Sequence, residues 1–91
     1  INLARAIGEL QERGVQVYGL AAEGEESLET LSFGPLVALV LGGEGKGLRR
    51  LTREKCDALV HISMTGGVGS LNVAVAAGIG LYAVRRQHVL P

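Results

Sequence analysis

The sequence predicts an α/β fold, a parallel sheet flanked by helices, on three observations. Residues 36–41 carry no polar side chain on either face, the pattern of a strand covered on both sides in a parallel sheet. Short apolar segments alternate with helical ones across short loops, as in βαβ units. Two of the apolar segments run into glycine loops, Gly42 to Gly47 and Gly66 to Gly69. Ligands of open α/β sheets bind at the carboxyl ends of the strands, so the two loops suggest one shared site.

Each element follows from its residues. Asn2 can cap a helix whose apolar residues Leu3, Ile7 and Leu10 recur at helical spacing. Gly14 closes it where a left-handed residue is favoured. Residues 15–20 read as a strand. The acidic stretch 23–33 reads as a solvated connection, with room for one helical turn around residues 27–31, and Gly34 and Pro35 end it. After the strand 36–41 and its loop, residues 48–56 look helical, with Leu48 and Leu51 inward and Arg49, Arg50 and Arg53 outward. Residues 58–62 form the next strand. Ser70 is expected to cap a last helix that runs to about Gln87. Within it Gly78 and Gly80 each cost about 1 kcal/mol relative to alanine. With Ala74, Ala76 and Ala77 they form a surface of little bulk, which predicts close approach of another segment or of a partner subunit.

Composition narrows the function. Ninety-one residues bound the chain to one domain. A formal net charge of zero argues against a protein that holds nucleic acid by bulk charge alone, while leaving room for a local basic patch. The single cysteine, Cys56, excludes an internal disulfide and fits a reducing cytosol. No charged-then-apolar leader opens the sequence, and the longest apolar run, residues 71–84, is interrupted and too short for a bilayer. A cytoplasmic protein without membrane association is therefore expected. The start at Ile1 suggests a piece of a longer protein.

The glycine loops do not match phosphate-binding motifs. A P-loop needs lysine and then serine or threonine after its last glycine, but Leu48 and Arg49 follow Gly47. The dinucleotide fingerprint fails too, because Leu48 stands where its third glycine belongs. A structural turn is the plain alternative; Glu44, a carboxylate at a strand's carboxyl end, raises the loop above it. Lys46, Arg49, Arg50 and Arg53 make a cationic cluster that fits either a solvated helix face or contact with a polyanion's phosphates. Cys56 has no second cysteine or flanking histidine to make a metal set, and His61 and His88 stand alone. No catalytic triad can be assembled by spacing.

Two long segments carry a resemblance. Leu39 to Arg50 resembles the second signature motif of the SpoU (TrmH-like) RNA ribose methyltransferases, and Ile62 to Ala76 resembles their third. The opening helix, ending in Gly14 before a strand, is similar to the one that precedes the second motif. The likeness covers nearly the whole chain, and within the family it points to the 23S rRNA guanosine 2'-O-methyltransferases. The resemblance implies a SPOUT fold, whose C-terminal part is threaded into a trefoil knot, and a homodimer. It implies S-adenosylmethionine as cofactor, held by Gly42, Ile62 and Leu71 largely through backbone groups, with Met64 and Gly66 as neighbours. The catalytic roles would fall on Glu44, Ser70 and Asn72, while the cationic cluster makes Lys46, Arg49 and Arg50 the candidates for RNA contact.

Two positions depart from the family pattern: Ser63 stands where proline is frequent, and Gly69 where serine is common. The family's first motif, with its asparagine and arginine, is not matched by Asn2 and Arg5, whose spacing is wrong. Residues 1–91 are therefore expected to be the C-terminal portion of a catalytic domain, with the first motif and any RNA-recognition domain upstream. The expected activity is 2'-O-methylation of an RNA ribose, on 23S rRNA guanosine first and on tRNA as the alternative. An inactive cofactor- or RNA-binding module is the competing expectation from a different class.

Overall fold

The computed structural model describes residues 2–42, 48–63 and 72–89. In chain order the elements are α1 (Leu3–Glu12), β1 (Gln16–Leu20), β2 (Glu26–Ser27), β3 (Val37–Leu41), α2 (Arg50–Lys55), β4 (Ala58–His61) and α3 (Val73–Val89). The strands form one sheet in the order β2-β4-β1-β3, and every pairing is parallel. No helix among the described residues is long and apolar enough to cross a membrane.

The helix starts and stops are chemical. Asn2 Oδ1 accepts the Arg5 N–H at 3.0 Å and so satisfies one orphan donor of α1. Gly14 adopts φ 84°, the left-handed conformation that ends the helix without a Cβ clash. Of the three apolar residues predicted to face inward on α1, Ile7 is buried, while Leu3 and Leu10 are 43% and 38% exposed.

Burial along the strands follows their order in the sheet. Val17, Tyr18 and Gly19 are buried in succession, because β1 is central and covered on both faces. The uninterrupted apolar run 36–41 predicted that status for β3. β3 is instead an edge strand, half-buried throughout, with Leu36 53% exposed. Parallel register puts Tyr18, Leu39 and Ala58 in one row, and Leu20, Leu41 and Val60 in the next. These residues face α3, where Tyr18, Leu28 and Val60 make the core together with Leu20, Leu39, Ile62 and Ala83. Phe33 meets Tyr18 edge to face at 5.4 Å. The opposite face, with Val17, Gly19 and Leu59, lies under α1 and α2: a Cβ on Gly19 would meet Leu59, Leu48 and Cys56.

Three further expectations change. Residues 23–33 are more than a solvated connection: Glu26 and Ser27 pair with β4, and Leu28 is 2% exposed. The expected turn is there, as Leu31 N–H donates to the Ser27 carbonyl at 3.1 Å. α2 is shorter than predicted and turns Leu51 outward, 62% exposed, while Thr52 is buried. Asn72, directly before α3, accepts the Ala74 N–H on Oδ1 at 2.8 Å, so the cap expected of Ser70 is filled by Asn72. Ser70 itself lies outside the described residues.

The helix glycines divide. A Cβ on Gly80 would lie 2.9 Å from Leu39 Cδ1 and 3.3 Å from Leu20 Cδ1, so the predicted close approach is real there. Gly78 meets nothing within 4 Å and is exposed.

Candidate functional site

Because all four strands are parallel, they end at one edge. β3 delivers the chain to Gly42 and β4 delivers it to Ile62, on either side of β1. Two strand spacings, about 9.6 Å, separate them. Both residues are half-buried, and Ile62 packs on the Tyr18–Leu28–Val60 core.

The helices are aimed at the same edge. Near its C-terminus α3 is tied to residues 31–34: Gln87 accepts the Phe33 N–H at 2.9 Å and donates to the Leu31 carbonyl at 2.7 Å, and His88 Nε2 donates to the Gly34 carbonyl at 2.6 Å. The Gly34 N–H in turn donates to Gln16, at the start of β1. α3 thus runs antiparallel to the strands, and its N-terminus, with Asn72, points to the edge where they end. On the other face, Leu48 reaches Gly19, and beyond α2 the Asp57 N–H donates to the Val17 carbonyl at 2.7 Å. α2 therefore starts at that edge too, which brings Arg49 and Arg50 to it.

Gly42, Ile62, Asn72, Arg49 and Arg50 share the carboxyl edge of the sheet. Glu44, Lys46, Met64, Gly66, Ser70 and Leu71 lie outside the described residues. Asn72 Oδ1 is engaged with the helix, and its amide nitrogen is a donor at the same edge. Arg49 and Arg50 are exposed; Arg50 stands 3.9 Å from Glu54 in a solvated pair of little energetic weight. Arg53 differs: it is half-buried and paired with Glu23 at 2.7 Å, so it braces the 23–33 segment against α2.

Sequence reasoning gave no role to a polar cluster at this edge. Glu29 Oε1 accepts the Ser63 N–H at 3.1 Å, and Glu29 Oε2 accepts the Ser27 hydroxyl at 2.9 Å. The Ser63 hydroxyl, the Ser63 N–H and the Ser27 hydroxyl hold the Glu29 carboxyl below the usual carboxylate range. The available signal was Ser63 itself, which keeps an N–H that proline would lack. Elsewhere the singletons are satisfied. His61 Nδ1 donates to the Gly24 carbonyl at 2.7 Å, and the Cys56 thiol donates to the Thr52 carbonyl at 3.3 Å. Burial first, and then the Asp57 charge, push the Cys56 thiol up in pKa. A groove of about 310 Å³ between β3 and α3 is lined by Val37, Leu39, Leu81, Val84, Arg85 and His88. Its lining includes neither Gly42 nor Ile62.

Comparison with known proteins agrees with this geometry. Residues 1–82 match the model of the SpoU rRNA Methylase family. The chain is 58% identical over 90 residues to the 23S rRNA (guanosine-2'-O-)-methyltransferase RlmB of Xylella fastidiosa strain Temecula1, covering 99% of this chain and 36% of that protein. The Coxiella burnetii enzyme of the same name is 50% identical over 90 residues, with the same coverage. The chain thus spans about a third of the length of these relatives. Among solved structures, the A. aeolicus TrmH/SpoU tRNA modifying enzyme superposes with a TM-score of 0.85 at 32% identity, over 96% of this chain and 45% of that one. The SpoU methyltransferase AviRb from Streptomyces viridochromogenes, solved in complex with AdoMet, gives 0.81 at 30% identity, over 94% and 33%. A four-stranded parallel sheet whose β3 and β4 end at Gly42 and Ile62 on one edge, and a family match over most of the chain's length, identify the chain as a member of the SpoU rRNA methylase family.

Proposed function

We propose that this chain is the cofactor-binding, C-terminal part of an S-adenosylmethionine-dependent RNA ribose 2'-O-methyltransferase acting on a 23S rRNA guanosine. The observation that carries the reading is the convergence of β3, β4 and the N-terminus of α3 on one edge, in a chain half or more identical to enzymes of that name. The tRNA alternative rests on structures at 32–36% identity, a weaker support.

The described residues fit the cofactor. Gly42 offers backbone with no side chain in the way, and Ile62 offers an apolar wall set on the core. Gly42, Ile62, Ser63 and Asn72 are uncharged, so none of them repels a sulfonium. When bound, S-adenosylmethionine supplies an electrophilic methyl group. A ribose hydroxyl must be aligned with that methyl and lose its proton to attack. In this reading the Asn72 amide, at the start of α3, donates to the acceptor ribose, and Arg49 and Arg50 meet RNA phosphates at the rim. Glu44, Ser70, Lys46, Met64, Gly66 and Leu71 keep the roles that the family motifs suggest.

The complete domain in this reading is a trefoil knot and the enzyme a cytoplasmic homodimer, its first motif supplied by residues upstream of Ile1. Support for the dimer comes from the apolar side of α3, where Val75, Leu81 and Tyr82 are 51%, 63% and 66% exposed. The test is calorimetry of the full-length protein with S-adenosylmethionine, then methylation of 23S rRNA with the product mapped to a guanosine 2'-oxygen. Binding without methyl transfer to ribosomal RNA or tRNA would leave the inactive module as the correct reading.

A further inference from the structure

The polar cluster at the end of β4 has a geometry that ladder pairing explains. In a parallel ladder, a residue whose N–H bonds one carbonyl of the neighbouring strand receives the N–H two residues further along that strand. Leu28 N–H donates to the His61 carbonyl at 2.8 Å, so the Ser63 N–H would next bond the Leu28 carbonyl if β2 continued. β2 does not continue: after Ser27 the chain turns, with Thr30 and Leu31 N–H on the Ser27 carbonyl at 3.2 and 3.1 Å. The Ser63 N–H is taken instead by Glu29 Oε1 at 3.1 Å. That carboxylate is itself held: Oε2 accepts the Ser27 hydroxyl at 2.9 Å, and Ser27 Oγ accepts the Glu29 N–H at 3.2 Å and lies 3.5 Å from Ser63 Oγ. Leu28, 2% exposed in the core, anchors the turn.

We propose that Glu29 is a positioning residue, whose carboxylate stands in for the missing ladder carbonyl and fixes the direction in which the backbone leaves β4 at Ser63. The inference rests on the reading of this edge as the cofactor site, since the segment so aimed continues from Ile62. A proline at position 63 would fix φ through its ring and have no N–H to bond. Ser63 leaves φ free and keeps the N–H, so here the constraint comes from Glu29, far away in sequence.

The test uses the full-length protein, with S-adenosylmethionine affinity from calorimetry and the exchange rate of the Ser63 amide from NMR. Glu29→Ala should weaken binding about fivefold and accelerate Ser63 exchange, as expected for loss of one solvated, charge-assisted hydrogen bond. Glu29→Gln, which keeps a carbonyl acceptor, should stay within about twofold of the parent. Ser63→Pro added to Glu29→Ala should restore most of the lost affinity, which a merely structural role for the turn would not allow. Parental affinity in Glu29→Ala, unchanged Ser63 exchange, or failure of both the glutamine and the proline changes to recover binding would overturn the assignment. A parent that binds no S-adenosylmethionine overturns the cofactor reading instead, and the exchange measurement then decides on Glu29 alone.

Discussion

The two faces of the sheet are built from the same alternation of residues and end in different states. Under α1 and α2 the face is closed: Ile7 and Val17 are 1% and 0% exposed, and Gln11 Nε2 ties α1 to the Lys55 carbonyl at 2.7 Å. On the other face α3 covers the strands with Gly80 and Ala83, and leaves Val75, Leu81 and Tyr82 in the open. The difference teaches which surfaces the chain completes by itself. α1 has one narrow apolar stripe, and the sheet absorbs its centre. α3 is apolar nearly all round, a pattern of helices buried on more than one side.

The largest effect should come from the closed face. Ile7→Ala removes a fully buried side chain whose neighbours are held by two helices and the sheet, and should cost about 2–5 kcal/mol in urea unfolding of the full-length protein. A loss below about 1 kcal/mol would mean that this face repacks readily and is less closed than its burial implies.

The open face gives the next two tests. If α3 meets a second copy, Leu81→Glu should shift the full-length protein from dimer to monomer in light scattering; a bare face would tolerate the change within about 0.5 kcal/mol. Gly78→Ala sharpens the point. A Cβ there meets nothing within 4 Å, so on a bare helix it should add about 1 kcal/mol of stability. On a covered one it should destabilise. On a bare helix Gly80→Ala, with Leu39 Cδ1 at 2.9 Å, should gain less than Gly78→Ala, both read from thermal melts.

The smallest effect is electrostatic. The Glu29 carboxyl is held below its ordinary range, so its contribution to stability is full above that range and is lost as pH falls through the lowered value. The melting difference between the parent and Glu29→Gln should accordingly shrink on acidification and stay flat from neutral pH upward. A difference that grows in acid would contradict the hydrogen bonds assigned to it.

Much of the fold was legible locally. Asn2 and Gly14 marked the ends of α1, and the run 36–41 marked a strand, because caps, turns and strand propensity depend on neighbours in sequence. The candidate site was legible as two glycine-rich segments and as family motifs, which predict Gly42, Ile62 and Asn72 at one edge. The network of Ser27, Glu29 and Ser63 was not, since an acidic stretch with glycine and serine reads as solvated whether or not a distant N–H needs its carboxylate. Leu51 faces outward for a related reason: direction on a six-residue helix depends on how that helix is rotated on the sheet.

By itself the sequence determined the type of every element but β2, the parallel α/β class and the family. The tertiary structure alone decided that β1 rather than β3 is central, that Gly80 and not Gly78 is the close approach, and that Glu29 completes the ladder at Ser63. The division has one physical cause. Local propensities act over a few residues, whereas strand order, helix rotation and the destination of each backbone N–H are set by pairings between segments tens of residues apart.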